Sequence, residues 1–377
     1  MLIRILCASV MLSGTYVSAR TTYSFDVVSH ASEPVLSKSN AVGSGHSDCI
    51  VFNPSIVSKS AGFDREGLMV RECCGSQCVG HGRRLLGEVA DRAERISFAQ
   101  CDLLSGVCDD PEPSFNLDPT VDTEDPRVVL YNDTYYNFYY RGTNQDPTCA
   151  GSQCTVQLSR TRTPLNASSW QFVKTLPWHR NGCCHVRPKG QRTYCMWGEG
   201  PGPFPGLGIS YTTDMDEGNF TQVPWQNSGD AATNATSPLT ADSMWMLPFG
   251  ADRDEVKLEA GTHMHELSTG DVVTFYAAAT PGWVPNGNYT VGWLVLSGAN
   301  PTEIVQRSQT HVLIPTWDYE TLCNGDAGCK YVGERKNVIF ASSAMPTRTK
   351  DQFRLYFGGG DGNVGTAVFQ ILTHAQA

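Results

Sequence analysis

Phe52-Asn53-Pro54-Ser55-Ile56 and Asp125-Pro126-Arg127-Val128-Val129 are two copies of one loose pattern, and reading them as a repeat decides the fold. Related segments follow near Asn181-Gly182-Cys183-Cys184, at Glu259-Ala260-Gly261-Thr262 and at Asn337-Val338-Ile339-Phe340. The leading residues Asn53, Asp125, Asn181, Glu259 and Asn337 are 72, 56, 78 and 78 residues apart, which leaves room for four strands and their connections each time. The intervening chain is rich in β-branched and aromatic runs of strand length, such as Tyr135 to Tyr140, Val272 to Ala277 and Val291 to Leu296, bounded by Asn, Asp, Gly and Pro. Helical periodicity is scarce, and one short helix is expected around Val89 to Ile96. Five such units predict an all-β, five-bladed β-propeller whose inner strands begin near the five leading residues, each blade burying its faces against its neighbours.

The N-terminus places the chain in a compartment. Basic Arg4, an apolar run from Ile5 to Leu12 and the small residues Val17-Ser18-Ala19 read as a signal peptide over residues 1–19. Residues 20–48 are expected as an N-terminal extension, and residues 49–377 as the propeller. No later segment has the ~20 apolar residues of a membrane span, so no membrane insertion is expected and the protein is read as secreted. Of the 14 cysteines, Cys7 leaves with the signal peptide, and the odd remainder implies disulfides with at least one thiol left over. Short clips are expected at Cys101 with Cys108, Cys149 with Cys154 and Cys323 with Cys329. Sequence alone does not connect the rest, and the pairs Cys73-Cys74 and Cys183-Cys184 lack the spacing of a structural zinc site. Five Asn-x-Ser/Thr sequons begin at Asn132, Asn166, Asn219, Asn234 and Asn288. The net charge of −10 and the lack of a Lys/Arg-rich run exclude nucleic acid or an anionic membrane as the natural partner and favour a neutral ligand.

The ordered segments Phe52-Asn53-Pro54-Ser55, Leu68-Met69-Val70-Arg71, Glu124-Asp125-Pro126-Arg127-Val128, Lys257-Leu258-Glu259-Ala260-Gly261, Gly292-Trp293-Leu294, Asn337-Val338-Ile339-Phe340 and Leu355 to Asp361 resemble glycoside hydrolase family 130, the mannoside phosphorylases and β-mannosidases. Cys-bearing insertions after Arg71, Thr143 and Glu320 depart from the compact pattern of that family. The resemblance implies an oligosaccharide or glycan ligand and no cofactor, with inorganic phosphate as co-substrate if the chain is a phosphorylase. It makes Asp125 the general acid. It gives substrate- or phosphate-binding roles to Asn53, Ser55, Arg71, Arg127, Arg180, Asn181, Lys257 and His263, with Arg180 standing where the family often has lysine.

The residues carry an argument of their own. Inverting cleavage of a glycoside needs an acid on the leaving oxygen and a base across the sugar ring, which two carboxylates from different blades can supply. Asp125 opens an apolar strand and would face the axis; the alternative is that Asp-Pro is only a strand-initiating turn. Glu259 is the second candidate, followed by Ala260-Gly261, small enough for a sugar to approach the backbone; its structural alternative is an ion pair with Arg180 or Lys257. His263 and His265 form an H-x-H that could ligate a metal but more often lines a funnel, and no metal is assigned. Trp317 and Tyr319 are expected in a funnel-side loop where they could stack on sugar rings. Three functions remain open from the sequence: an inverting glycosidase, a phosphorylase and a non-catalytic glycan binder. Export favours hydrolysis, because phosphorolysis conserves bond energy as a sugar phosphate useful mainly inside a cell.

Overall fold

Asn53, Asp125, Asn181 and Asn337 all adopt left-handed backbone conformations, with φ of 50°, 51°, 56° and 61°. Asn and Asp tolerate that conformation better than other non-glycine residues, which is why they recur at the head of the repeat. At Asn53 and Asp125 the residue lies within a β-bulge, where the pairing register of the inner strand slips between Phe52 and Ser55 and between Glu124 and Arg127. A bulge re-aims the side chain it carries. In the computed structural model, which describes residues 21–37, 49–74, 78, 93–115, 122–142, 155–178, 180–198, 206–223, 245–247, 255–281, 288–325 and 328–375, this device is repeated around a propeller axis.

Five antiparallel sheets make the blades. Blade 1 runs from its inner strand Cys49–Val57 through Gly67–Cys74 and Ala93–Asp102 to the short outer strands Val107–Cys108 and Glu112–Phe115. Blade 2 comprises Asp122–Tyr131, Thr134–Gly142, Thr155–Thr161 and Gln171–Leu176, and blade 3 comprises Cys183–His185, Thr193–Trp197, Leu207–Thr212, Thr221–Gln222 and Trp245–Leu247. Blade 4 holds Lys257–Ala260, Val272–Ala279, Tyr289–Leu296 and Ile304–Arg307, with His265–Glu266 continuing the inner edge. Blade 5 holds Ile339–Pro346, Gln352–Gly359 and Asn363–Ala375, and its outer strand is the N-terminal Thr21–His30. The five inner strands are the ones the repeat marks. The N-terminal segment is a correction: residues 21–30 were expected outside the propeller, but they pair along Asn363–Ala375 and close the ring. Phe25 fixes that closure by stacking on Trp293 of blade 4, with ring centroids 4.0 Å apart.

Neighbouring blades are joined by side chains just beyond the bulges. The Ser55 hydroxyl accepts from Val128 N at 2.6 Å, Ser343 accepts from Ile56 N at 3.0 Å, and His263 Nδ1 accepts from Cys184 N at 2.9 Å. Gly261 is needed for the same close approach, since a Cβ there would lie 2.5 Å from Phe275 O and 2.8 Å from Ala341 Cβ. Its smallness therefore serves blade packing, where the sequence suggested room for a sugar. The helix expected at Val89 to Ile96 is also corrected for its described part: Ala93 onward is strand, paired with Gly67–Cys74. Residues 1–20 and the expected Cys149–Cys154 clip lie outside the described residues.

The other two expected clips are present, Cys101–Cys108 and Cys323–Cys329. Among the described residues the remaining connections are Cys49–Cys74, Cys73–Cys78 and Cys184–Cys195, with Cys183 a buried free thiol. Both adjacent pairs are thus accounted for without zinc: Cys73 and Cys74 point to opposite faces of one strand and find different partners. Among the described residues no helix is long and apolar enough to cross a membrane.

Candidate active site

The residues at the heads of the repeats meet across neighbouring blades. Asn53 of blade 1 donates through Nδ2 to Asp125 Oδ1 of blade 2 at 2.7 Å, and Asn181 of blade 3 donates through Nδ2 to Glu259 Oε2 of blade 4 at 3.3 Å. Each pair joins an amide at the head of one repeat to a carboxylate at the head of the next. Gly358 makes the first contact possible, because a Cβ there would lie 2.2 Å from Asn53 Oδ1.

Asp125 is almost fully buried, with a side-chain exposure of 1%, and is clasped by arginines. Arg180 Nη1 stands 2.8 Å from Asp125 Oδ2, and Arg71 Nη1 stands 3.4 Å from Asp125 Oδ1. The same arginines meet Glu124 Oε2, at 3.3 Å and 3.1 Å respectively. Arg71 is anchored from behind by Glu94, which accepts from Nε at 3.1 Å and Nη2 at 2.7 Å. Burial works to raise the Asp125 pKa, but Arg71, Arg180 and Arg127, together with the Asn53 hydrogen bond, outweigh it and hold the carboxyl below the usual carboxylate range. Arg180 and Glu124, with side chains 21% and 12% exposed, are the most exposed members of this cluster.

Glu259 forms the second half of the site. Lys257 Nζ lies 2.6 Å from its Oε1, and Tyr289 donates its hydroxyl to the same oxygen at 2.7 Å. The structural alternative weighed for Glu259, an ion pair with Lys257, is therefore present, while Arg180 turns to Asp125. Consecutive residues Arg180 and Asn181 touch Asp125 and Glu259 in turn, so one turn at the head of blade 3 binds the two halves together.

Asn53, Arg71, Asp125, Arg180, Asn181, Lys257 and Glu259 are thus brought into one cluster. The remaining expected site residues are elsewhere. Ser55 is fully buried and committed to Val128 N. His263 spends Nδ1 on Cys184 N between blades 3 and 4, and burial, with His265 and Arg127, pushes its pKa down to about 3. Arg127 is fully buried below Asp125. Tyr319 is corrected as well: it is a core side chain stacked near Phe357, with its hydroxyl donating to Ala31 O at 3.0 Å. Trp317 precedes the short helix Asp318–Thr321 and packs against His30.

Residue-by-residue reading passed over Glu124, Tyr289 and Asp361. Glu124 adjoins Asp125, and Asp361 ends the glycine-rich run Gly358 to Gly360, so both had a sequence signal. Asp361 stands in a turn with φ of 44°. Burial first, and the nearby Glu334 and Asp125, push its pKa up to about 6 against the pull of Arg335 and Arg71. Tyr289 looked like the middle of a sequon and had no such signal.

Paired carboxylates held among arginine, lysine and amide groups where the blades meet can protonate, deprotonate and hydrogen-bond a polyhydroxylated ligand. The model of glycoside hydrolase family 130, described as beta-1,4-mannooligosaccharide phosphorylase, matches residues 215–374. That stretch carries Lys257, Glu259, Tyr289 and Asp361. A solved structure described in work on family 130 hydrolases that target β-1,2 mannosidic linkages in Candida mannan has a TM-score of 0.61 at 15% identity, covering 93% of this chain and 94% of that one. The β-1,2-mannobiose phosphorylase of Listeria innocua, in complex with β-1,2-mannobiose, has a TM-score of 0.57 at 15% identity over 86% of this chain and 91% of its own. A glycosyl hydrolase from Bacteroides ovatus has a TM-score of 0.59 at 16% identity, covering 86% of this chain and 84% of that one. No curated protein matches the sequence. The resemblance to family 130 holds in sequence over the C-terminal blades and in fold over most of the chain.

Proposed function

We propose that the protein is a secreted glycoside hydrolase acting on β-mannosides or related glycans with inversion, using Asp125 as the acid and Glu259 as the base. The observation that carries hydrolysis over phosphorolysis is that each candidate phosphate-binding cation already faces a carboxylate: Lys257 faces Glu259, Arg180 faces Asp125 and Glu124, and Arg71 faces Glu94 and Glu124. A phosphate dianion entering here has to displace those carboxylates and repel them.

The arginines hold the Asp125 carboxyl below the usual carboxylate range in the free protein, so to act as the acid it takes up a proton from solvent as substrate engages the site. Sugar hydroxyls that draw Arg180 from Asp125 remove the nearest cation and raise the proton affinity of the carboxyl. Asp361, with its raised pKa, suits hydrogen bonding to a sugar hydroxyl in either protonation state. The match to a family of mannooligosaccharide phosphorylases keeps phosphorolysis as the second reading, with Arg71, Arg180 and Lys257 as the phosphate clamp. Export rests on the five disulfides among the described residues. Product analysis on β-mannobiose and longer mannosides, with and without inorganic phosphate, tests the proposal. Free mannose independent of phosphate supports hydrolysis, and mannose 1-phosphate overturns it.

A further inference from the structure

Three of the five sequons lie at one end of blades 2 and 3. Asn132 stands in the turn joining Asp122–Tyr131 to Thr134–Gly142, at the far end of that inner strand from Asp125. Asn166 caps the short helical turn Ala167–Ser169, which follows Thr161, and Thr161 is paired with Tyr135 beside that same turn. Asn219 lies in the loop between Leu207–Thr212 and Thr221–Gln222. Asp216 of that loop accepts from the Tyr136 hydroxyl at 2.5 Å, which holds the loop against the same end of blade 2. All three asparagines are exposed, and they sit at the opposite ends of their blades from Asp125 and Asn181.

Their amides are set for modification. Asn166 Oδ1 accepts from Ser168 N at 3.1 Å and from Ser168 Oγ at 2.7 Å, so its structural work is done by the oxygen and not by Nδ2. Asn219 Oδ1 accepts from Lys174 Nζ at 2.5 Å, and its Nδ2 donates to Glu217 Oε2 at 3.2 Å, a bond that the one N–H of a glycosylated amide can keep. The sequon at Asn288 is built differently. Thr290 is buried, with its hydroxyl bonded to Ala278 O and His311 Nδ1, and Tyr289 reaches Glu259, so a glycan on Asn288 would stand beside the candidate site. Asn234 lies outside the described residues.

A second feature of this end of the molecule calls for cover. Gln171–Leu176 is the outer strand of blade 2, and its Phe172 is 54% exposed. An edge strand with an exposed aromatic is a template for pairing with another chain. Asn166 precedes this strand, and Asn219 touches its Lys174. A glycan is bulky, polar and solubilising.

We propose that Asn132, Asn166 and Asn219 are acceptors of N-linked oligosaccharide, and that the glycans on Asn166 and Asn219 cover the edge of blade 2. In the transfer, Nδ2 displaces a lipid diphosphate from the anomeric carbon of the donor sugar: the C–O bond to phosphate breaks, the N–C bond forms, and one amide proton leaves to the transferase. Modification requires entry into a secretory route, the export proposed above.

The test expresses residues 20–377 behind a foreign leader in a eukaryotic secretory host, with the chain bearing its own leader in parallel. Peptide mapping after enzymatic glycan release in heavy-oxygen water should mark Asn132, Asn166 and Asn219. Unmodified asparagine throughout the foreign-leader protein at any of the three overturns the assignment, while retention of the chain with its own leader overturns export alone. The double variant Asn166→Gln, Asn219→Gln should self-associate on concentration where the glycosylated protein does not, and adding Phe172→Lys should reverse it. Equal behaviour of the glycosylated protein and the double variant overturns the covering of the edge, as does self-association that Phe172→Lys leaves unchanged.

Discussion

Arg180 lies 2.8 Å from Asp125, closer than any other cation in the site, and it approaches from the blade that follows Asp125 in the chain. With Arg71 and Arg127 the pair holds the carboxyl of the proposed acid below the usual carboxylate range, and it ties that acid to the turn that also touches Glu259. Its chemistry leads to the first test.

Replacing Asp125 by Asn keeps the shape and the contact with Asn53 and removes the transferable proton. Turnover should fall by roughly 10²- to 10⁴-fold, the usual contribution of general acid catalysis, while glycan binding by calorimetry persists. Full activity in Asp125→Asn would refute the assignment.

Glu259 and Lys257 separate the two reactions. In a hydrolase, Glu259→Gln should abolish turnover whether or not phosphate is present. In a phosphorylase, Lys257→Ala should be the more damaging change, because an anionic nucleophile needs cations rather than a base. Initial rates of both variants across a phosphate titration decide the matter.

Asp361 should make stability depend on pH in an unusual direction. Its folded pKa of about 6 is above the ordinary aspartate value, so the folded state holds the proton longer than the unfolded chain. The destabilisation is absent well below the unfolded pKa, grows as pH rises through the interval, and is complete above about 6. Asp361→Asn should therefore be more stable than wild type at pH 7.5, by on the order of 2 kcal/mol, with the difference vanishing below pH ~4. Denaturant titrations at the two pH values measure it; a constant difference would contradict the account. Substrate affinity should weaken in the same variant if Asp361 contacts the sugar.

The disulfides predict sensitivity to reduction. Cys49 and Cys74 face each other across paired strands and close a separation of 25 residues. The chain-entropy account gives such a link about 3 kcal/mol. The Cys49→Ser, Cys74→Ser double variant should lose about that much. Wild-type protein in strong reductant should lose more, and unchanged thermal unfolding under reduction would contradict this.

Closure by the N-terminal strand predicts that deleting residues 21–30 destroys cooperative unfolding, since Asn363–Ala375 would lose its outer neighbour from Ala367 to Ala375 and keep only Gln352–Gly359 on its inner side. The smaller change Phe25→Ala removes the stack on Trp293 and should cost about 2 kcal/mol in denaturant titrations. A truncated protein with the wild-type transition would show that the strand is dispensable.

By itself the sequence determined the blade count and the inner strands, because a left-handed residue at the head of an inner strand admits few residue types and leaves Asn or Asp as a mark at Asn53, Asp125, Asn181 and Asn337. It also marked both carboxylates, together with Arg180 and Lys257, which adjoin the heads of the repeats. Tertiary structure alone decided which cation meets which carboxylate: Arg180 to Asp125 and Lys257 to Glu259 depend on the angle between blades, which no local pattern encodes. It decided that Ser55, Gly261 and His263 join blades instead of lining the funnel, because alternation along a strand is lost where the strand bulges or breaks. It also decided the N-terminal strand: Thr21–His30 is joined to Asn363–Ala375 across almost the whole chain, and its pairing depends on ring closure, a property of the assembled blades.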